Sequence, residues 1–129
     1  MIAIDTNILV RLLTRDNESE YKASLKLFTS ETLFIPDTVI LETEWVLRYA
    51  YDLSSGDICN ALRNVLGLPN VSVTNAAKIA NAILWHEAGL DFADAFHLSL
   101  CQDHTALKTF DKEFIKKGKD ISACRVERP

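Results

Sequence analysis

The chain has 129 residues, enough for one domain with a true hydrophobic core. Hydrophobic residues make up 48% and charged residues 25%, which excludes a disordered chain, and no apolar run approaches the ~20 residues that cross a bilayer. The formal charge of −4, taken alone, speaks against nucleic-acid binding, because phosphate contacts usually need a basic footprint.

The opening Met1-Ile2-Ala3-Ile4-Asp5 has no basic region and reads as a strand rather than a secretory leader. Asn7 to about Leu13 reads as a helix, and a second follows from about Glu18 to Phe28 on helical apolar spacing. Leu33-Phe34-Ile35 is a buried strand stopped by Pro36. Asp37 or Thr38 caps the next helix, which runs to about Tyr51. Ser54 or Ser55 caps a helix with Ile58, Leu62, Val65 and Leu66 on one face, and Gly67-Leu68-Pro69-Asn70 breaks the chain. Val71-Ser72-Val73 is a third strand. Thr74 or Asn75 starts a helix to about Ala88, ended by Gly89. Phe92 to about Cys101 is helical, Ala106 to Thr109 a fourth strand, Lys112 to Lys117 a short helix, and Cys124-Arg125-Val126 a last strand. No repeat or linker interrupts the series, so one continuous domain over 1–129 is expected. Strands alternating with helices predict an α/β fold with a mainly parallel sheet, whose active site lies beyond the carboxyl ends of the strands. Cys59, Cys101 and Cys124 are widely spaced and lack a C-x-x-C. They read as packing residues in a reduced cytoplasm, without disulfide or zinc.

Acids occupy the predicted strand ends. Asp5 follows the first strand and Asp111 the fourth, and each also reads as the cap of the helix after it. Glu42 shares a helix face with Thr38, Val39, Trp45, Val46 and Tyr49, where a carboxylate is costly unless paired or metal-bound. Glu44 points elsewhere and reads as a solvated charge. Asp91 and Asp94 stand at i, i+3 in the first turn of one helix, Asp91 as the natural cap and Asp94 facing a site. Four carboxylates brought together repel one another, and a divalent cation reverses that cost. Hard oxygen ligands select Mg²⁺ or Mn²⁺, ions that activate water and stabilise charge on a phosphoryl centre. A loaded acidic site is locally positive, which meets the objection raised by the net charge.

Four segments in order resemble the acidic motifs of the PIN-domain nucleases, in particular the VapC-type toxins of toxin–antitoxin pairs. They are Ile4-Asp5-Thr6-Asn7-Ile8-Leu9-Val10-Arg11, Ile40-Leu41-Glu42-Thr43-Glu44-Trp45-Val46-Leu47-Arg48, Asp91-Phe92-Ala93-Asp94-Ala95-Phe96-His97-Leu98 and Thr109-Phe110-Asp111-Lys112-Glu113-Phe114. The resemblance spans almost the whole chain. It implies a three-layer α/β/α sandwich and a Mg²⁺- or Mn²⁺-dependent endoribonuclease in which Asp5, Glu42, Asp94 and Asp111 bind metal and position water. Asp91 is implied as an accessory metal-binding acid, and Thr6, Asn7 and Thr109 as polar residues that orient the acids. It further implies RNA as substrate, a homodimer and an inhibitory antitoxin partner.

Other readings fit less well. A haloacid-dehalogenase-like phosphatase needs an Asp where Asn7 stands, and a receiver domain needs an acidic pair that is missing. His86, His97 and His104 have no nucleophile elbow, and His97 reads as packing on or capping its helix. A non-catalytic RNA-binding PIN domain would lack a core acid, and none is lost. A housekeeping nuclease without antitoxin is the remaining alternative. The basic residues are scattered but include Arg11, Arg15, Arg48, Lys108, Lys112, Lys116, Lys117 and Lys119, the last four after the strand end that carries Asp111, and they read as a solvated face with some contact to RNA phosphates. Trp45, Tyr49, Tyr51, Ile58 and Leu62 suggest a groove between Asp37 and Leu66 for an antitoxin helix.

Overall fold

The computed structural model describes residues 1–129. The chain divides into two compact units, Met1–Ala76 and Ala77–Pro129.

The first unit holds β1 (Ile2–Ala3), α1 (Thr6–Thr14), α2 (Glu18–Ser30), β2 (Leu33–Phe34), α3 (Asp37–Tyr49), α4 (Ser55–Leu66) and β3 (Val71–Ser72). Its three strands pair in parallel in the order β1-β2-β3, with Ile2 opposite Leu33 and Leu33 opposite Val71. Backbone bonds extend the ladder past the strands: Ile4 N–H donates to Phe34 O at 3.1 Å and Ile35 N–H to Ser72 O at 2.9 Å. Parallel pairing needs helical crossovers, and α1 packs against both α2 and α3. Ile4, Leu9, Leu33, Ile35, Ile40, Leu47, Ile58 and Leu62 are buried in this unit. The mixed spacing of these residues follows from strands buried on both faces and helices buried on one stripe.

The second unit holds α5 (Ala76–Glu87, which begins at the boundary), α6 (Phe92–Leu100), β4 (Ala106–Lys108), α7 (Lys112–Gly118) and β5 (Arg125–Glu127). β4 and β5 pair in parallel, Leu107 opposite Val126. Gly89 ends α5 at φ +120°, a conformation that favours glycine. Leu90 N–H donates to Trp85 O and Gly89 N–H to His86 O, the Schellman pattern that closes a helix and turns the chain into α6. Phe92 stacks edge-on against His86 and Phe96, and Phe92, Leu98 and Ile83 are buried.

The α/β class and the parallel pairing are as expected from the sequence. Three local expectations are corrected. Neither Asp37 nor Thr38 caps α3: Pro36 is the N-cap, with no side-chain bond, and its carbonyl accepts from Val39 and Ile40 N–H. Glu44 is not a solvated charge. Its side chain is 2% exposed and takes a two-pronged ion pair from Arg48, Nε at 2.8 Å and Nη2 at 3.0 Å. Ile58 and Leu62 are fully buried and belong to the core, which leaves Trp45 and Tyr49 as the exposed aromatics of the suggested groove. Burial follows the stripe Ile40-Thr43-Glu44-Leu47, about one residue around the helix from the stripe that Trp45 and Tyr49 suggest. All three cysteines are free thiols, two buried and Cys101 half-buried. No helix is long and apolar enough to cross a membrane.

Candidate active site

In the first unit Asp5 follows β1 and is the N-cap of α1. Its Oδ1 accepts from Ile8 N–H at 3.3 Å. A cap bond of this kind occupies one carboxylate oxygen, so capping and a second role are compatible in the same residue. Thr6, the first residue of α1, is buried and its hydroxyl donates to Glu42 Oε1 on α3. That bond ties the start of α1 to the second turn of α3. The two helices pack against each other, and between them opens a cleft of about 450 Å³ lined by Asp5, Thr6, Asn7, Thr38, Val39, Glu42 and Val46. Glu42 itself is exposed, so its carboxylate keeps solvent access while one oxygen is oriented by Thr6.

In the second unit Asp91 caps α6 by accepting from Asp94 N–H at 3.3 Å. Asp111 caps α7, its Oδ1 accepting from Phe114 N–H at 3.1 Å, and its own N–H donates to Thr109 Oγ1 at 3.0 Å. Thr109 therefore orients the Asp111 backbone rather than its carboxylate. Asp91, Asp94 and Asp111 line one small recess of about 100 Å³ with Leu90, Glu113, Phe114 and Lys117. Asp94 holds its proton more tightly than an ordinary Asp. Partial burial is the main cause, the charges of Asp91 and Asp111 add to it, and His97 opposes it. His97 is exposed, and its nearness to Asp94 was not suggested by the sequence.

The structure thus gathers the sequence candidates by unit: Asp5, Thr6, Asn7 and Glu42 along one cleft, Asp91, Asp94 and Asp111 around one recess. No three His, Cys, Asp or Glu side chains form a ready-made metal-ligating group. The fit to a cation rests on donor type: carboxylate oxygens are the hard ligands that Mg²⁺ and Mn²⁺ take, and the mutual repulsion at Asp94 is what a cation relieves. Phe110, next to Asp111 and 73% exposed, is a residue that motif reading passed over. An apolar residue between a strand end and a capping Asp is its only sequence signal.

No curated protein matches the chain. Among solved structures it is similar to VapC20 of Mycobacterium tuberculosis, described as a sarcin–ricin loop cleaving toxin. That likeness covers 92% of this chain and 95% of that one, with 18% sequence identity and a TM-score of 0.44. The sequence model of the PIN domain matches residues 2–120, a span that includes residues of both compact units. The chain belongs to the PIN domain family.

Proposed function

We propose that the chain is a Mg²⁺- or Mn²⁺-dependent endoribonuclease, and the toxin of a toxin–antitoxin pair acting in the cytoplasm. The observation that carries the reading is the convergence of Asp91, Asp94 and Asp111 on one recess in a PIN-domain chain. Asp5 and Glu42 of the first unit and Asp94 and Asp111 of the second are its catalytic acids, with Asp91 accessory. Thr6 orients Glu42, Thr109 positions the Asp111 backbone, and Asn7 lines the Asp5 cleft. A bound divalent ion would supply activated water and charge stabilisation at phosphorus. The two units work as one nuclease domain, a reading supported by a family match that includes residues of both.

The partner reading rests on α3. Trp45 is 55% and Tyr49 63% exposed, their rings 5.1 Å apart, an aromatic pair of the kind that anchors a partner helix. An antitoxin arginine directed at the acids would compete with metal for them. A homodimer is the expected assembly.

The test is cleavage of labelled RNA with Mg²⁺, Mn²⁺ or excess chelator, with mapping of the product ends. Metal-dependent cleavage leaving 5′-phosphate and 3′-hydroxyl ends is expected, because water rather than the ribose hydroxyl attacks. Full activity in chelator, or cyclic-phosphate ends, would sink the reading. Growth arrest on expression, relieved by co-expressing the neighbouring open reading frame, tests the toxin assignment. A chain that cuts RNA without slowing growth is a housekeeping nuclease.

A further inference from the structure

Phe110 is hard to explain as packing. It stands in the link between β4 and α7, immediately before Asp111, and is 73% exposed. Yet the backbone on either side is pinned. Thr109 N–H donates to Glu127 O at 3.1 Å, Asp111 N–H reaches back across Phe110 to Thr109 Oγ1 at 3.0 Å, and Asp111 is fixed in turn as the cap of α7. The backbone that carries Phe110 is therefore fixed while the ring itself stands out in solvent. Phenylalanine has no polar edge to offer water, so its π face is the only binding feature it presents. The cation recorded against that face is Arg128, with Cζ 5.7 Å from the ring centroid. Arg128 is exposed, and its carbonyl accepts from Lys108 Nζ at 3.4 Å.

The C-terminal stretch in which it stands differs in charge from the rest of the chain, although Lys108 and Arg125 both pair with Glu127 and Lys117 with Glu113. Residues 106–129 carry seven Lys and Arg against four Asp and Glu, a net +3, whereas residues 1–105 carry seven against fourteen, a net −7. The basic residues that follow the last motif acid thus form the chain's one cationic stretch. Its near neighbours in sequence, Lys108, Asp111 and Lys112, are charged and exposed, unlike the apolar residues that line a protein-binding patch. An exposed aromatic face with an arginine against it, in a stretch of net positive charge, matches a nucleobase with its phosphate.

We propose that Phe110, flanked by Arg128, is a stacking platform that seats an unpaired base of single-stranded RNA beside Asp111, with the surrounding Lys and Arg side chains taking the phosphates. The proposal rests on the ribonuclease reading and adds to it the residue that seats the unpaired base. Duplex RNA keeps its bases stacked on one another and offers the ring nothing. Phe110 is a specificity residue in this account and performs no chemistry.

The test uses the full chain and a short fluorescein-labelled oligoribonucleotide, single-stranded or annealed to its complement. Binding is titrated in chelator, where nothing is cut, and cleavage is measured separately with Mg²⁺ or Mn²⁺. Phe110→Ala should weaken single-strand binding about tenfold or more, as loss of one stacked base does. KM should rise by a similar factor, kcat should hold, and duplex binding should not change. Phe110→Leu should fail to restore binding and Phe110→Trp should restore it, a pattern that only a π face produces. Arg128→Ala should weaken binding and flatten its salt dependence. Wild-type affinity in Phe110→Ala, or full rescue by Phe110→Leu, overturns the platform. So does a loss in Phe110→Ala of self-association or antitoxin binding with RNA affinity intact. If wild type binds single strands through Phe110 and cuts none, the nuclease reading fails and the platform stands. If wild type cuts RNA and Phe110→Ala binds and cuts alike, the platform fails alone.

Discussion

Thr6 donates its hydroxyl to the Glu42 carboxylate across 36 residues of sequence. Thr6 is buried and Glu42 exposed, so the bond is shielded on the donor side only and its direction is set by the start of α1. It leaves Glu42 exposed but not free to turn. Thr6→Val keeps the shape and removes the donor. A hydrogen bond to a charged group contributes about 1.5–3 kcal/mol, so a position that depends on it should lose roughly tenfold to a hundredfold in kcat. Thr6→Ser should recover most of the loss. Metal-dependent RNA cleavage by the two variants, with thermal melting as a folding control, checks this.

The acids should separate by role. Asp5→Asn, Glu42→Gln and Asp94→Asn should each lower cleavage by orders of magnitude with the fold kept. Asp91→Asn should cost less, because Asn also caps helices well. A larger loss in Asp91→Asn than in Asp94→Asn would exchange the two roles.

Asp94 also makes a pH prediction. Its affinity for a proton is raised in the folded state, first by burial and then by Asp91 and Asp111. The folded chain therefore holds that proton over a range where the unfolded chain, with a carboxyl near ~3.9, has lost it. Asp94 favours folding most below the unfolded value, and the benefit is lost as pH rises through the folded one. In chelator, wild-type melting temperature should carry this downward component with rising pH, and Asp94→Asn should remove it and hold or raise stability at neutral pH. Melting curves across the mildly acidic range decide it.

Glu44 and Arg48 are a stability element rather than a catalytic one. With Glu44 2% exposed and Arg48 a third exposed, Arg48→Met strands a buried carboxylate. The cost should fall toward the lower end of the ~3–5 kcal/mol seen for broken buried pairs, since water reaches the arginine side. The double replacement Glu44→Leu with Arg48→Met should recover much of it. Urea unfolding midpoints of the single and double variants are the measurement.

Asp16 contributes to the acid stability of the first unit. Its pKa is lowered, chiefly by the Tyr51 hydroxyl at 2.6 Å, with Thr14 and Arg11 adding. A lowered carboxyl stabilises the fold above its unfolded value, and that stability disappears as pH falls through the folded one. Tyr51→Phe removes the largest cause, so acid unfolding should begin at a higher pH. The midpoint followed by circular dichroism, wild type against Tyr51→Phe, reads the shift.

Local chemistry made much of this chain legible in advance. Asp5, Asp91 and Asp111 cap helices as their positions after strands and turns imply, because a cap needs nothing beyond its own next three residues. Gly89 ends α5 for an equally local reason, and the order of strands and helices follows from periodicity. The α3 residues were not legible in this way. Glu44 is buried where a solvated charge was expected, since α3 carries apolar side chains on two stripes and a helical wheel cannot say which one meets the sheet and its neighbouring helices. Trp45 and Tyr49 lie outside that interface while Thr43 and Glu44 lie within it, and an arginine one turn on makes the burial of Glu44 tolerable. The Thr6–Glu42 bond and the Arg128–Phe110 contact join residues far apart in the chain. Such pairings depend on where whole elements pack, a property of the assembled fold that no window of sequence contains.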